Sequence, residues 1–519
     1  MRNRMNLINS KDLSKNRQLA INIAASFTAL FISMGINFLL SPFIVKTVGV
    51  EAYGFVQFGN NIISYLSILA IALNSMSSRF ISIEYFRGNQ KSANEYFAST
   101  FYSNIFLGLL LTPIIIAVIL NISKLVNIPI ELVLDVQFLL GFLSINFIIG
   151  LMATNLSVSY YITNKLYLHS IIQICAHLIK AILLIVFFGL FNPHVSFVAL
   201  SALIITILTQ LANLYWKRKL IPDLKINFKY FRLSRVKELI SSGLWNSITR
   251  LGSVLSEGLD LLIANLMISV TGMGILSIAK IIPNLINMIL NSMISTFLPN
   301  MTELYAQKKQ VELVASIKQS MRIIGMIINI PIALLIAYGD VLFTVWFPTQ
   351  DARLLQTLSI LTVLPWAFMG QATIIHNIFT IVNRIRLNSI LVTLTGFLNV
   401  LIVFILLKTT NLGLFAVAGV SAILSILRNG IYTVPFGARY IHEPWYIFYP
   451  DIIKSILSVT SISTIGLLIK TQAHNYTWFN LIILSAVLSF IGVAFNFIII
   501  YRKDDRKHII DKIKRKIIL

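Results

Sequence analysis

Five ionisable side chains of this sequence lie deep inside apolar stretches, where a charge is costly and marks a functional hypothesis. They are Lys180, Arg250, Glu257, Asp260 and Lys280. The three cations suit an anionic ligand, because lysine offers a point charge and arginine a planar fork of donors. The two carboxylates are candidates to carry a coupling proton or sodium ion. In the competing interpretation Arg250 and Glu257, seven residues apart on one helix face, neutralise each other as a packing pair.

Four polar side chains are candidates for lining the path of a sugar: Asn60, Asn61, Ser64 and Asn74. Small and polar residues also mediate helix packing inside membranes, and this alternative stays open. Arg428 lies near the end of an apolar stretch, and we expect it to reach the membrane surface. No residue spacing indicates a metal site, and no phosphate-binding loop of the GxxxxGK[ST] type is present, so we predict no cofactor.

The elements that must position these residues are membrane-spanning helices. The 519 residues are 57% hydrophobic and 12% charged, whereas about a quarter of a soluble protein is charged. Apolar runs of spanning length recur throughout, which predicts an all-α polytopic membrane protein. The net charge of +23 is spread over many short loops, which favours membrane orientation and anionic lipid headgroups over nucleic acid as its explanation. The one cysteine, Cys175, is expected to be a small buried residue.

About fourteen spans are predicted, and the shortest of them is the thirteenth. Their bounds are 19–45, 53–78, 97–121, 133–156, 166–188, 195–216, 240–268, 273–299, 320–346, 354–380, 388–407, 412–434, 455–469 and 477–501. Four prolines lie within these spans and are expected to kink them: Pro113, Pro283, Pro331 and Pro365.

The loop charges give the orientation. Segments assigned to the cytoplasm carry 33 of the 42 lysines and arginines. Only five fall in the segments assigned to the outside, namely Lys46, Lys124, Arg353, Lys408 and Lys470. Basic residues are thus abundant in the loops assigned to the cytoplasm and rare in the loops between them. A miscounted span would exchange the two sides for all later loops and remove this pattern, so both termini are predicted to be cytoplasmic. The outside loops are short and leave no room for a catalytic domain there.

An internal repeat relates the two halves of the sequence. Residues 71–80 resemble 288–297, Pro113 matches Pro331, and 162–171 resemble 381–390, at offsets between 217 and 219. Because six spans are an even number, the two copies are predicted to be parallel six-helix lobes followed by a terminal helix pair. Transporters built this way bind substrate between their halves.

These spans divide the chain into six predicted regions. They are a cytoplasmic segment at 1–18, lobe one at 19–216, a basic cytoplasmic linker at 217–239, lobe two at 240–434, the last two helices at 435–501 and a basic cytoplasmic tail at 502–519.

Two stretches carry a resemblance to a known family. They are SPFIVKTVGVEAYGFVQF at 41–58 and EGLDLLIANLMISVTGMGILSIAKIIPNLIN at 257–287. Together with the architecture they resemble the polysaccharide transporters (flippases of oligosaccharide repeat units or teichoic acid precursors) of the multidrug/oligosaccharidyl-lipid/polysaccharide exporter superfamily. In several members the first helix carries basic residues inside the cavity, whereas here none lies between Arg17 and Lys46.

The resemblance implies a flippase in the bacterial plasma membrane. It would move an undecaprenyl-pyrophosphate-linked oligosaccharide or a cell-wall polymer precursor by alternating access, without being an enzyme. Arg250, Lys180 and Lys280 would then hold the headgroup phosphates, and Glu257 and Asp260 would couple transport to H⁺ or Na⁺. Membrane lipids, a polymerase and glycosyltransferases are the partners implied.

Two other functions stay open. A cation-coupled multidrug antiporter of the same superfamily would share the fold. Four basic candidate residues in the spans (Lys180, Arg250, Lys280 and Arg428) against two acidic ones (Glu257 and Asp260) favour an anionic substrate. A membrane glycosyltransferase or polymerase would need acidic catalytic residues on a sizeable loop, which the short outside loops do not provide. A non-transporting scaffold of a cell-wall assembly complex is a third interpretation.

Overall fold

The backbone is helical throughout the described part of the chain. A computed structural model describes residues 2–470, 477–501 and 506. Within those residues there is no β-strand, as expected of a chain that must satisfy its backbone polar groups inside a bilayer. By their contacts the described residues form two compact units.

The first unit comprises Met1–Val254 and Ser269–Gly274. Its helices are α1 (Arg2–Val48), α2 (Val50–Asn74), α3 (Ser77–Phe86), α4 (Gln90–Leu120), α5 (Ile122–Leu125), α6 (Val133–Met152), α7 (Val158–Ile162), α8 (Leu166–Leu190), α9 (Ser196–Leu220) and α10 (Leu233–Ser253).

The second unit comprises Leu255–Ile268 and Ile275–Leu519. Its helices are α11 (Asp260–Met267), α12 (Val270–Ala279, whose first turn belongs to the first unit), α13 (Ile281–Ala306), α14 (Gln310–Trp346), α15 (Ala352–Met369), α16 (His376–Ile381), α17 (Ile385–Thr409), α18 (Leu414–Arg428), α19 (Val434–Tyr440), α20 (Tyr449–Lys470) and α21 (Trp478–Ile500).

The predicted all-α membrane fold is confirmed, with one span built differently from the others. Thirteen helices of the described chain are long and apolar enough to cross a membrane. The remaining predicted span, 240–268, is divided between α10 and α11 by a π-helical turn, Val254–Gly258. α11 has only eight residues and α10 carries four charged residues, so neither helix is by itself among the thirteen.

Several helices extend beyond their predicted spans. α14 begins at Gln310, ten residues before the predicted start at 320, and α20 covers Tyr449–Lys470 where 455–469 was predicted. An apolar window marks only the part of a helix inside hydrocarbon, and the polar turns beyond it are invisible to that signal. Cys175 is exposed, contrary to the expected burial, because it lies on the apolar outer face of α8 with Ile171 and Leu178.

The internal repeat reappears in the backbone. α8 and α17 are both 25 residues long. Each comes after an asparagine in the left-handed region, Asn164 with φ 54° and Asn383 with φ 55°. A 3₁₀ turn precedes each of these asparagines by a few residues, at Thr154–Ser157 and Gly370–Ile375. Both copies thus interrupt and resume the helix in the same way.

The predicted cytoplasmic linker packs against the start of α4. The Asn94 side chain bonds the backbone of Asp223 and of Lys225, and Ser99 bonds the backbone of Arg232. The Arg235 guanidinium lies 3.2 Å from a Glu95 carboxylate oxygen. The linker is therefore an ordered strap of the first unit.

α10 continues from this strap along α2 in the first unit. A Cβ added at Gly243 would stand 2.0 Å from the Ala72 carbonyl oxygen, so only glycine allows this approach. Ser247 also donates to the Ile68 carbonyl at 2.8 Å. Residues 240–254, predicted to open lobe two, thus join the first unit by their contacts, and the division into lobes stays a prediction.

In the second unit, polar contacts join the last two helices to α14 at three levels. An ion pair joins Arg322 to Asp451 at 3.0 Å, and another joins Asp340 to Lys470 at 2.5 Å. Between them lies a buried network of Asn329, Ser455, Ser458 and Asn496. We call this set of contacts the α14 ladder.

Candidate functional site

The first interruption of a spanning helix is the π-helical turn Val254–Gly258. Such a turn leaves carbonyl groups without their normal helical donors and is frequent at functional sites. Two of these carbonyls are satisfied from α17, because the Asn399 amide donates to the oxygens of Leu255 at 3.3 Å and Ser256 at 3.0 Å. Asn399 is buried, with 1% of its surface exposed. The break is therefore a stable part of the fold.

The second interruption lies between α12 and α13, at Lys280. Its cause is Pro283, which has no N–H to donate to the carbonyl four residues earlier and clashes with it. That carbonyl belongs to Ala279, and the Ser359 hydroxyl of α15 donates to it at 2.7 Å. The helix is thus interrupted just before Pro283, and Lys280 lies at the break.

The two interruptions bring a cation and a carboxylate together. Lys280 Nζ lies 2.5 Å from Asp260 Oδ2, and it also donates to the Glu257 carbonyl at 3.2 Å. The Asp260 side chain is 3% exposed and that of Lys280 is 15% exposed. Lys280 and Asp260, assigned to phosphate and to ion coupling respectively, therefore form one ion pair in this structure.

Arg428 and Glu257 line a small polar cavity of the second unit beside this pair. Its other walls are mostly hydroxyl and amide side chains: Ser256, Thr395, Asn399, Ser421 and Ser425. Arg428 Nε is buried without a hydrogen-bond partner in the described structure, whereas the sequence favoured a side chain that reaches the membrane surface. A second π-helical turn, Asn429–Thr433, comes directly after it. Sequence reasoning missed Asn399 and Arg428 as site residues, and a polar residue on an otherwise apolar span was their only signal.

The regular helix assumed for Arg250 and Glu257 is not present. The π-helical turn Val254–Gly258 begins after Arg250 and contains Glu257. Its wider turn changes the direction of the side chains relative to a regular helix. Arg250 belongs to the first unit and Glu257 to the second. A shared face of one helix therefore no longer relates them.

The first unit holds the other two cations, Arg250 and Lys180. Both are half-buried, and neither has an ion-pair partner among the residues that the structure describes. They lie on different helix pairs, because α8 packs on α1 and α9 whereas α10 packs on α2 and α4. The structure thus leaves both cations free for an anion and does not gather them into one cluster.

The polar residues of α2 lie along one edge of the first unit. Asn74 contributes to a groove of about 410 Å³ between α2 and α6, whose walls are largely apolar. Its side chain exchanges hydrogen bonds with Asn104 of α4 at 2.9 and 3.0 Å. Asn60 is exposed, and Asn61 and Ser64 are half-buried. At 1.5 Å per residue the distance from Asn60 to Asn74 is about 21 Å.

Interrupted spanning helices that carry charges at their breaks define a class of protein. They are typical of membrane transporters, whose sites are built from discontinuous helices. The chain belongs to the family described as Polysaccharide biosynthesis protein, whose sequence model matches residues 19–305. This confirms the resemblance to the polysaccharide transporters of the exporter superfamily, and the protein is a multi-pass membrane transporter.

Similar proteins agree with this assignment. The chain is 28% identical over 501 residues to a protein named uncharacterized membrane protein EpsK of Bacillus subtilis (strain 168), covering 96% of this chain and 98% of that protein. Among solved structures, an inward-facing multidrug resistance MATE family transporter of the MOP superfamily matches with TM-score 0.63 and 15% identity, covering 81% of this chain and 98% of the other.

A second solved structure carries a different printed description. It is a MOP superfamily transporter from Pyrococcus furiosus, described by a binding pocket of reverse polarity that suggests a different function. It matches with TM-score 0.61 and 15% identity, covering 81% of this chain and 95% of the other. At this identity both structures show the fold alone. Family and fold point to a transporter rather than an enzyme, and a bacterial plasma membrane fits the family.

Proposed function

We propose that the protein is a flippase for a lipid-linked oligosaccharide or cell-wall polymer precursor, moved across the bacterial plasma membrane by alternating access. The observation that carries this proposal is the positive balance of the candidate charges within the spans, in which Lys180, Arg250, Lys280 and Arg428 stand against Glu257 and Asp260. Lys280 lies at a helix break and Arg428 lines a hydroxyl- and amide-rich cavity beside it. A phosphate needs cations and a sugar needs hydrogen-bonding groups to leave water.

Each group of residues has a role in this proposal. Arg250, Lys180 and Lys280 bind the headgroup phosphates, and the structure supports the first two by leaving them without ion pairs among the described residues. Asp260 and Glu257 carry the coupling ion. The sugar passes along Asn60, Asn61, Ser64 and Asn74, and the lipid tail stays in the bilayer.

The alternative function is a multidrug antiporter with a cationic substrate. The likeness to the multidrug resistance transporter in fold favours it. A cationic substrate would prefer a site dominated by acids and aromatic rings. The ion pair between Lys280 and Asp260 neutralises one cation and one acid. Arg250 and Lys180 have no ion-pair partner among the described residues, and this excess of positive charge favours the anionic substrate.

The test is transport of a labelled undecaprenyl-pyrophosphate oligosaccharide in proteoliposomes. Wild type is compared with Arg250→Ala and with Arg353→Ala, which removes a cation from a predicted outside loop. Arg250 suits the test because no ion-pair partner within the described structure is left behind. Wild type and Arg353→Ala should move the lipid, and Arg250→Ala should lose most of the movement.

The other outcomes separate the competing functions. Equal movement by all three proteins would keep the flippase and remove Arg250 as a phosphate ligand. No movement of several such lipids by wild type, together with export of a cationic dye, would establish the antiporter instead.

A further inference from the structure

Of the two carboxylate oxygens of Asp260, one accepts a hydrogen bond and the other accepts none in the described structure. Oδ2 accepts from Lys280 Nζ at 2.5 Å. Oδ1 is buried and accepts no hydrogen bond in the described structure. The charge of this carboxylate, whose side chain is 3% exposed, is therefore compensated in the main by one ammonium group.

A ligand that takes over this ammonium changes the state of Asp260. Lys280 is the more exposed partner, at 15% against 3%. An anion that draws the ammonium away would leave Asp260 as a buried charge without its ion-pair partner, which is strongly unfavourable. A buried acid in that position becomes neutral by taking up a proton. Anion binding at Lys280 and protonation of Asp260 are thus linked.

The other charged groups near Asp260 do not replace Lys280. Arg428, on α18 that packs against α11, lines the neighbouring cavity. Glu257 precedes α11 and is itself an acid, so it cannot take the place of Lys280 as the partner of Asp260. Asn399 of α17 and Ser359 of α15, which bond the backbone at the two breaks, do not titrate, and both donate to backbone carbonyls.

We propose that Lys280 and Asp260 form a proton-linked phosphate site. When a phosphate or pyrophosphate group binds the Lys280 ammonium, Asp260 Oδ1 takes one proton from solvent. An O–H bond forms there, no bond of the ligand breaks, and the reverse step releases both ligand and proton. The inference rests on the proposed flippase function and adds which acid carries the proton and why it moves with the anion.

The test counts protons during binding of inorganic pyrophosphate to the purified full-length protein. Titration calorimetry in buffers of different ionisation enthalpy, between about pH 6 and pH 8, gives the number of protons taken up. Wild type should take up about one proton more than Asp260→Asn, and its affinity should fall more steeply with rising pH, by up to about tenfold per unit. Pyrophosphate titrates in the same way in both experiments, so its own protons cancel in the difference.

A second ion pair of the same unit supplies the matched control. Asp340 and Lys470 lie 2.5 Å apart, away from the interrupted helices, so Asp340→Asn should bind pyrophosphate with the wild-type proton number. Lys280→Arg keeps a cation beside Asp260 and should also keep that number. This variant and the wild-type count remain informative if Asp260→Asn does not fold.

Two results would overturn the inference. One is equal proton uptake by wild type and Asp260→Asn, or no uptake by wild type beyond that of pyrophosphate itself. The other is an absence of pyrophosphate binding to wild type over the whole pH range. Neither result decides the flippase function, which is measured separately by lipid movement in proteoliposomes.

Discussion

The two copies of the internal repeat differ most in their first two helices. In the first copy α1 continues without a break through the predicted first span, and α2 is continuous from Val50 to Asn74. In the second copy the corresponding helices break at Val254–Gly258 and at Lys280. The first copy has no charged residue between Arg17 and Lys46 or between Glu51 and Arg79, whereas the corresponding helices of the second copy carry Asp260 and Lys280.

This difference shows how one helical plan acquires a charged site. In a continuous helix the backbone N–H and C=O groups bond one another, so every side chain can be apolar. A broken helix exposes carbonyls that polar neighbours must satisfy, and a charge at the break can use the same carbonyls, as Lys280 does with Glu257. In the first unit Lys180 lies within the continuous helix α8, and Arg250 lies about one turn before the π-helical turn. The described structure gives neither cation an ion pair.

The largest expected effect on the free energy of unfolding comes from breaking the ion pair between Lys280 and Asp260, which the first copy lacks. Lys280→Ala leaves a buried carboxylate alone and should lower the free energy of unfolding by about 3–5 kcal/mol. The double variant Asp260→Leu with Lys280→Ile imitates the apolar first copy and should recover most of that loss while transport stays abolished. Thermal unfolding in detergent and lipid movement measure the two quantities. A double variant as unstable as Lys280→Ala would mean that the pair is not the origin of the loss.

A smaller effect is expected at a position that the two copies use differently. Asn399 of α17 corresponds to Lys180 of α8 at the offset of 219 residues (383 minus 164). Asn399→Ala removes the donor of two carbonyls and should destabilise the protein by about 1–3 kcal/mol. Lys180→Ala should leave the unfolding midpoint unchanged but weaken transport, because its cation has no ion-pair partner in the described structure. The opposite pattern would reverse the roles assigned to the two residues.

The smallest effect concerns the break at Lys280. Ser359→Ala should cost about 1 kcal/mol, because the Ala279 carbonyl loses its donor. In a Pro283→Ala background the restored backbone N–H can serve that carbonyl, so the same change should cost almost nothing. The four unfolding free energies form a double-mutant cycle. Additive losses would show that the proline and the hydroxyl act on separate groups.

The sequence was sufficient for the fold because spans are long apolar runs with alternating loop charges. The break near Pro283 could also be predicted from the sequence, because a proline lacks the backbone N–H that a helix needs. The π-helical turn at 254–258 contains no proline that would announce it. The prediction that Arg250 and Glu257 share a helix face therefore assumed a regular helix. The pairing of Lys280 with Asp260 depends on both breaks and on Asn399 and Ser359 from other helices. That geometry arises only in the packed molecule.

The α14 ladder has a consequence for the order in which the protein is assembled. α14 enters the membrane with Arg322, Asn329 and Asp340 before α20 and α21 have been synthesised, since their partners lie more than a hundred residues later in the chain. Until then, polar groups of α14 face lipid or other helices without those partners. Synthesis of α20 and α21 thus supplies the partners of these α14 side chains, so this part of the second unit can pack fully only late in synthesis.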